Sequence, residues 1–231
     1  MLFRQLFDSE SSTYTYLIGD EASRQAVLID PVLEQVERDL RLVDELGLVL
    51  THVLDTHVHA DHVTASGALR ERTKCQVVAG AGGAECADLQ VRHGDTVRVG
   101  ACTFQVLATP GHTDDSVSYL LGERVFTGDA LMVRGNGRTD FQNGDAGQLY
   151  DSITRVLFQL PDATLVYPAH DYHGHLATSI GEEKRHNPRL AGKTREEFIA
   201  VMAALNLPRP RKIDLAVPAN RACGRLQPPE S

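Results

Sequence analysis

The segment His57–His62, HVHADH, constrains this chain more than any other stretch. Three imidazoles and a carboxylate within six residues make a ligand set for a borderline divalent metal ion. The segment follows the apolar run 48–55 (LVLTHVLD), which reads as a buried strand, and leads into a helix expected over Ala60–Arg72. A strand-to-helix turn projects side chains into the crevice at the strand's C-terminal end. Three further strand ends repeat the pattern: His112 in TPGHT after strand 104–108, Asp129 in FTGDA after 124–127, and His170 in YPAHD after 164–167. Singly, each is explained as an ordinary turn or cap residue. Together they describe one metal site fed by four strand ends.

The rest of the chain supplies a layered scaffold. Residues 13–19 and 25–30 read as strands, and Leu33, Val36, Leu40 and Val43 recur at helical spacing before a stop at Gly47. Gln76–Ala79, Thr96–Val99, Ser116–Leu121 and Thr164–Tyr167 add strands, with helices over 146–158 and Thr194–Leu205. Thr194 and Glu197 have capping-box spacing. A tail studded with Pro208, Pro210, Pro218, Pro228 and Pro229 follows. Strands with interspersed helices and no low-complexity linker predict one α/β domain over 1–231, with the tail from about 187 packed on it.

Charge and cysteines narrow the function classes. Lys plus Arg number 23 against 31 Asp plus Glu, a formal charge of −8, which argues against nucleic acid as a partner. No apolar run is long enough to span a bilayer, so a membrane is not expected either. The start, MLFRQLFDSE, has neither a signal-peptide h-region nor a transit-peptide composition, and a cytoplasmic location is expected. Cys75, Cys86, Cys102 and Cys223 show no C-x-x-C spacing and are expected reduced, with Cys223 an inert structural thiol.

The HxHxDH motif, the PGHT histidine, the GD aspartate and the late histidine, in that order, resemble the metallo-β-lactamase superfamily. The resemblance implies a four-layer αββα sandwich. Three segments, Thr56–Arg70, Ala130–Ile153 and His186–Gly224, resemble its persulfide dioxygenase branch. That resemblance implies one Fe(II) per chain held by His57, His112 and Asp129, a two-His, one-carboxylate triad with open positions. His59, Asp61, His62, His170 and Asp171 would then support the ligands through hydrogen bonds. The implied reaction takes glutathione persulfide, O2 and water to glutathione and sulfite. A rhodanese-type sulfurtransferase and a homodimer enter as candidate partners. The same residues also supply a full dinuclear zinc set, so the alternative is a glyoxalase II-like thioesterase acting on S-lactoylglutathione.

Glutathione carries two carboxylates and needs fixed cations or backbone donors. Arg138, in the Gly-rich GNGRTDF, is the first candidate for substrate binding and catalysis, with Lys184 and Arg189 weaker ones. Tyr172, next to His170 and Asp171, is placed to bond near the open positions, and Thr127 shares a strand face with Asp129. Relatives in the branch often carry cysteine where this chain has Asn136, so regulation through that thiol is not expected here. His52, His93, His173, His175 and His186 receive no role.

Overall fold

The computed structural model describes residues 1–226; Pro228, Pro229 and the end of the 187–231 tail lie outside the described residues. The chain divides into two compact units. The first comprises Met1–Val91, Arg98–Thr103 and the chain from Arg209 on, and the second Arg92–Val97 and Phe104–Pro208. The predicted tail is thus shared, its residues up to Pro208 in the second unit and the rest in the first.

The first unit is built on a six-stranded mixed sheet, β1 (Leu2–Asp8), β2 (Thr13–Gly19), β3 (Gln25–Ile29), β4 (Val49–Leu54), β5 (Gln76–Gly80) and β6 (Leu89–Val91), in that spatial order. β1 to β3 form an antiparallel meander, and β3 to β6 run parallel. Helix α1 (Val36–Glu45) joins β3 to β4, and α2 (Ser66–Thr73) joins β4 to β5. Val36 and Val43 of α1 and Leu69 of α2 pack with Leu17, Ala26, Leu28, Leu50 and Val53 of the sheet. Leu50 and Val53 are an odd number of residues apart yet share this cluster. The register slips where Ala26 and Val27 pair Leu50 and His52, so Thr51 is an extra residue that re-aims the strand. Every residue of β2 is buried, which brings the hydroxyls of Thr13 and Thr15 indoors as hydrogen-bonding groups.

The second sheet contains β7 (Thr96–Val99), β8 (Cys102–Ala108), β9 (Val117–Leu121), β10 (Arg124–Gly128), β11 (Leu165–Pro168) and β12 (Thr178–Ser179), ordered β12-β11-β10-β9-β8-β7. β10 and β11 are parallel. In the second unit α3 (Ala146–Arg155), α4 (Ile180–His186) and α5 (Arg195–Ala203) bury Leu149, Ile153, Ile180, Phe198 and Met202 against Val125 and Val166. The Thr194–Glu197 capping box is formed at the start of α5. None of the helices among the described residues is long and apolar enough to cross a membrane.

Several elements differ from the sequence expectations. The helix expected from Ala60 begins only at Ser66, because backbone groups of residues 59–64 are taken by side chains instead of a helical ladder. The proline-studded tail contains a helix, α6 (Ile213–Arg221), with Pro218 inside it. Pro218 costs one intrahelical bond, but Ala216 and Ala219 are buried against Val63, and that packing holds the turn. Cys86 and Cys223 form a disulfide across 137 residues, so Cys223 is not the free thiol expected; only Cys75 and Cys102 are free, both buried. Spacing rules detect short-range thiol pairs, and this pair is made by the tail returning to the loop after β5.

Candidate functional site

In the first unit, β4 ends at Leu54 and the chain enters a loop in which Asp55, His57, His59 and His62 are buried and Asp61 is half-buried. The loop is organised by Asp30, at the end of β3, which sequence reasoning missed. Asp30 adopts φ 50°, a left-handed conformation that aspartate tolerates better than most residues. Its carboxylate accepts from Thr56 N at 2.7 Å, Thr56 Oγ1 at 2.9 Å and His59 Nε2 at 3.2 Å. Because the Thr56 hydroxyl donates to Asp30, its oxygen accepts from His57 Nδ1 at 3.0 Å, which directs the lone pair of His57 to Nε2. Asp55 accepts from Ser66 Oγ at 2.6 Å and Thr64 Oγ1 at 2.9 Å.

The electrostatics of this loop are dominated by burial. It pushes Asp55 up to about 6, against the pull of His59 and the Ser66 and Thr64 hydrogen bonds. Burial also opposes a charge on His59, but the charge of Asp30, its hydrogen bond, and Asp61 and Asp55 together raise His59 to about 9. His62 Nδ1 meets Asp61 Oδ2 at 3.0 Å and Thr13 Oγ1 at 3.3 Å. Donor atoms of His59, Asp61 and His62 lie within 4.8 Å of one another, as do those of Asp30, Asp55 and His59.

In the second unit, His112, Asp129 and His170 come together. His112 donates Nδ1–H to the carbonyl of Arg138 at 2.6 Å, which leaves the lone pair on Nε2. That Nε2 faces Asp129 Oδ2 at 3.6 Å, beyond hydrogen-bond reach. The other carboxylate oxygen, Oδ1, accepts from His170 Nδ1 at 2.7 Å. An imidazole nitrogen and a carboxylate oxygen thus stand side by side at the end of their loops. This donor set suits a metal cation.

The loop after Asp129 is fitted closely around these groups. Gly137 N donates to Asp129 O at 2.6 Å, and a Cβ on Gly137 would stand 2.7 Å from His112 Nδ1. Thr127, fully buried, donates its hydroxyl to Leu131 O at 2.6 Å and so ties the turn that carries Asp129. Glu183, another residue missed from sequence, sits buried beneath the loop. It accepts from Arg134 N at 3.0 Å, Asn187 Nδ2 at 2.9 Å and Thr178 Oγ1 at 2.8 Å, besides pairing with the Arg134 guanidinium. A lone glutamate in a helix carries no sequence signal of such burial.

The substrate-facing candidates fare differently. The guanidinium of Arg138 is committed: it pairs with both Asp140 oxygens at 2.6 and 2.7 Å, donates to Pro208 O at 2.6 Å, and stacks 4.6 Å from the Phe141 ring. Arg138 reaches His112 through its backbone carbonyl, not its charge. Its side chain borders a cavity of about 300 Å³ lined also by Thr139, Met202, Leu205 and Leu207. Lys184 pairs with Asp162 at 2.6 Å, and Arg189 donates to Asn136 O at 2.7 Å. Asp171 is buried; that burial would raise its carboxyl, but the His173 and His175 amides, each at 2.7 Å, hold it below the ordinary range. Tyr172 is 66% exposed and stacks on His170, with ring planes 5° apart.

Comparisons with known proteins agree in direction. A family model described as the Metallo-beta-lactamase superfamily matches residues 9–85 and 88–170. The chain is 50% identical over 232 residues, 99% of its length and 91% of the relative's, to the Homo sapiens protein named persulfide dioxygenase ETHE1, mitochondrial. The crystal structure of ETHE1 from Myxococcus xanthus matches with a TM-score of 0.97 and 79% identity, covering 97% of this chain and 100% of that one. A hydroxyacylglutathione hydrolase from Rhodospirillum rubrum is 37% identical over 167 residues, 70% of this chain and 63% of that protein.

Proposed function

The chain belongs to the metallo-β-lactamase superfamily and has its fold, and within that family we propose that it is a persulfide dioxygenase acting on glutathione persulfide. The net reaction is glutathione persulfide plus O2 plus water giving glutathione, sulfite and two protons. On this reading one Fe(II) per chain is held by His57, His112 and Asp129. Near-full-length identity to relatives named persulfide dioxygenase supports the reaction class. The geometric observation that carries a metal at this site is the approach of Asp129 to His112. The Oδ1 of Asp129 accepts from His170 Nδ1 at 2.7 Å, and its Oδ2 lies 3.6 Å from His112 Nε2.

Fe(II) at such a triad supplies one-electron chemistry with O2 and positions open to exogenous ligands. The protein's share is orientation. The Arg138 carbonyl and the Thr56 hydroxyl fix the tautomers of His112 and His57. Asp129 brings one negative charge, and the His170 hydrogen bond aims it. Tyr172, exposed and stacked on His170, is the substrate-facing side chain in this reading. Thr127 and Arg138 act by holding the ligand loops, Arg138 through its carbonyl. The reaction that supplies the substrate is transfer of sulfur onto a thiol, the work of a sulfurtransferase.

The clustering of His59, Asp61 and His62 favours a second reading, a dinuclear zinc thioesterase. Metal analysis of the purified protein combined with an oxygen electrode separates the two. About one iron per chain and O2 uptake with glutathione persulfide are expected. Two zincs, hydrolysis of S-lactoylglutathione and no O2 uptake would overturn the proposal.

A further inference from the structure

Asn220 stands at the end of α6, about 160 residues along the chain from the HVHADH loop, yet its buried side chain is bonded wholly to that loop. Its Nδ2 donates to His59 O at 2.9 Å and His62 O at 2.8 Å, and its Oδ1 accepts from Thr64 N at 2.8 Å. One amide therefore closes a ring across residues 59–64 and satisfies three backbone groups that a buried, non-helical loop leaves open. The pattern is specific to an amide: it needs two donors and one acceptor on a flat group, which among short side chains only asparagine offers.

The segment around Asn220 is anchored independently of it. Cys223 O accepts from Gly67 N at 2.8 Å, and Arg221 O accepts from Glu85 N at 3.1 Å. A Cβ on Gly224 would meet Thr64 O at 2.0 Å, so the backbones touch there. The Cys86–Cys223 disulfide ties the same segment to the loop after β5. Asn220 is thus a fixed pin on a fixed support.

We propose that Asn220 is a positioning residue for the metal-ligand loop: through the carbonyls of His59 and His62 it sets the curvature that aims the imidazoles of residues 57–62. The role rests on the metal reading above only for its consequence, since the hydrogen bonds hold the loop whether or not a metal is bound. Loss of the two Nδ2 donors leaves two buried carbonyls unpaired and lets the loop rearrange. Residues that orient metal ligands through hydrogen bonds typically change affinity 10- to 100-fold when altered.

The test uses the full chain with Asn220→Asp, which keeps an acceptor for Thr64 N but loses both donors, and Asn220→Ala, which loses all three bonds. Cys86→Ser serves as a control that loosens the support and leaves the pin. Hydrogen exchange of the Thr64 amide judges the loop without any metal, and it should speed at least about 10-fold in Asn220→Ala while the circular-dichroism spectrum stays native. Iron release to a chelator should speed by about 10- to 100-fold in both Asn220 variants, and the visible bands of the Co(II)-substituted protein should shift. kcat should fall with KM little changed. Thr64 exchange and Co(II) bands matching the parent in folded Asn220 variants would overturn the positioning role. A parent chain that binds no metal, with Thr64 exchange still governed by Asn220, would overturn the metal reading and leave the positioning of the loop standing.

Discussion

Opening the Cys86–Cys223 disulfide gives a large and calculable change. The bond closes a loop spanning 137 residues of sequence, and both cysteines belong to the first unit. In the chain-entropy treatment, cross-linking removes 2.1 + 1.5R ln n cal/mol/K from the unfolded ensemble, which for such a loop amounts to about 5 kcal/mol at 25 °C. The folded-state contacts of the segment are made by backbone groups and Asn220, so they survive reduction in first approximation. With a urea dependence of about 3 kcal/mol per molar, the full entropic effect lowers the unfolding midpoint by about 1.7 M. The assay is urea unfolding of the oxidised protein, the reduced protein and Cys86→Ser. Thiols are counted in denaturant beforehand: two from Cys75 and Cys102 before reduction, four after. Four thiols in the untreated protein would show the bond is not formed. Two thiols with coincident unfolding midpoints before and after reduction would refute the entropic reasoning.

Other perturbations test the site and its supports. Asp129→Ala should abolish iron retention, because it removes the only anionic ligand, whereas His59→Ala should lower activity and leave substantial iron by metal analysis; complete loss in the latter would sink the ligand assignment. Gly137→Ala places a methyl 2.7 Å from His112 Nδ1 and should weaken metal binding at least about 10-fold with little change in secondary structure, measured by chelator competition. Glu183→Ala strands the Arg134 and Asn187 donors around a buried hole and should cost about 3–5 kcal/mol in urea unfolding. Asp39, in α1, has its carboxyl pushed up to about 6 by burial, against the pull of Arg38. The folded state therefore holds a proton that the unfolded chain, near 3.9, has released. Stability from this group falls as pH rises from about 4 to about 6 and stays low above, so Asp39→Asn should stabilise by up to about 2 kcal/mol at pH 7.5 and by almost nothing at pH 4. Equal gains at both pH values would refute the sign.

The candidate ligand residues were legible because metal chemistry demands a few residue types, and those types recurred at strand ends. Strands and amphipathic helices were legible where periodicity was local, as in α1 and α3. What escaped has one physical cause in each case: the deciding contact lies far along the chain. Pro218 argued against a helix, and burial of Ala216 and Ala219 overrode it. HADHVT has helical neighbours, but its backbone is claimed by Asn220. Arg138 was chosen for its charge, and the structure spends that charge on Asp140 and uses the carbonyl.

By itself, then, the sequence determined the inventory: which donors exist, in what order, and on which strand ends. Only the tertiary structure decided their protonation and aim. The hydrogen bond between His170 and Asp129 joins residues 41 apart and leaves no trace in local spacing. The Cys86–Cys223 bond and the Asn220 pin are of the same kind, made by a tail that packs where distant burial draws it.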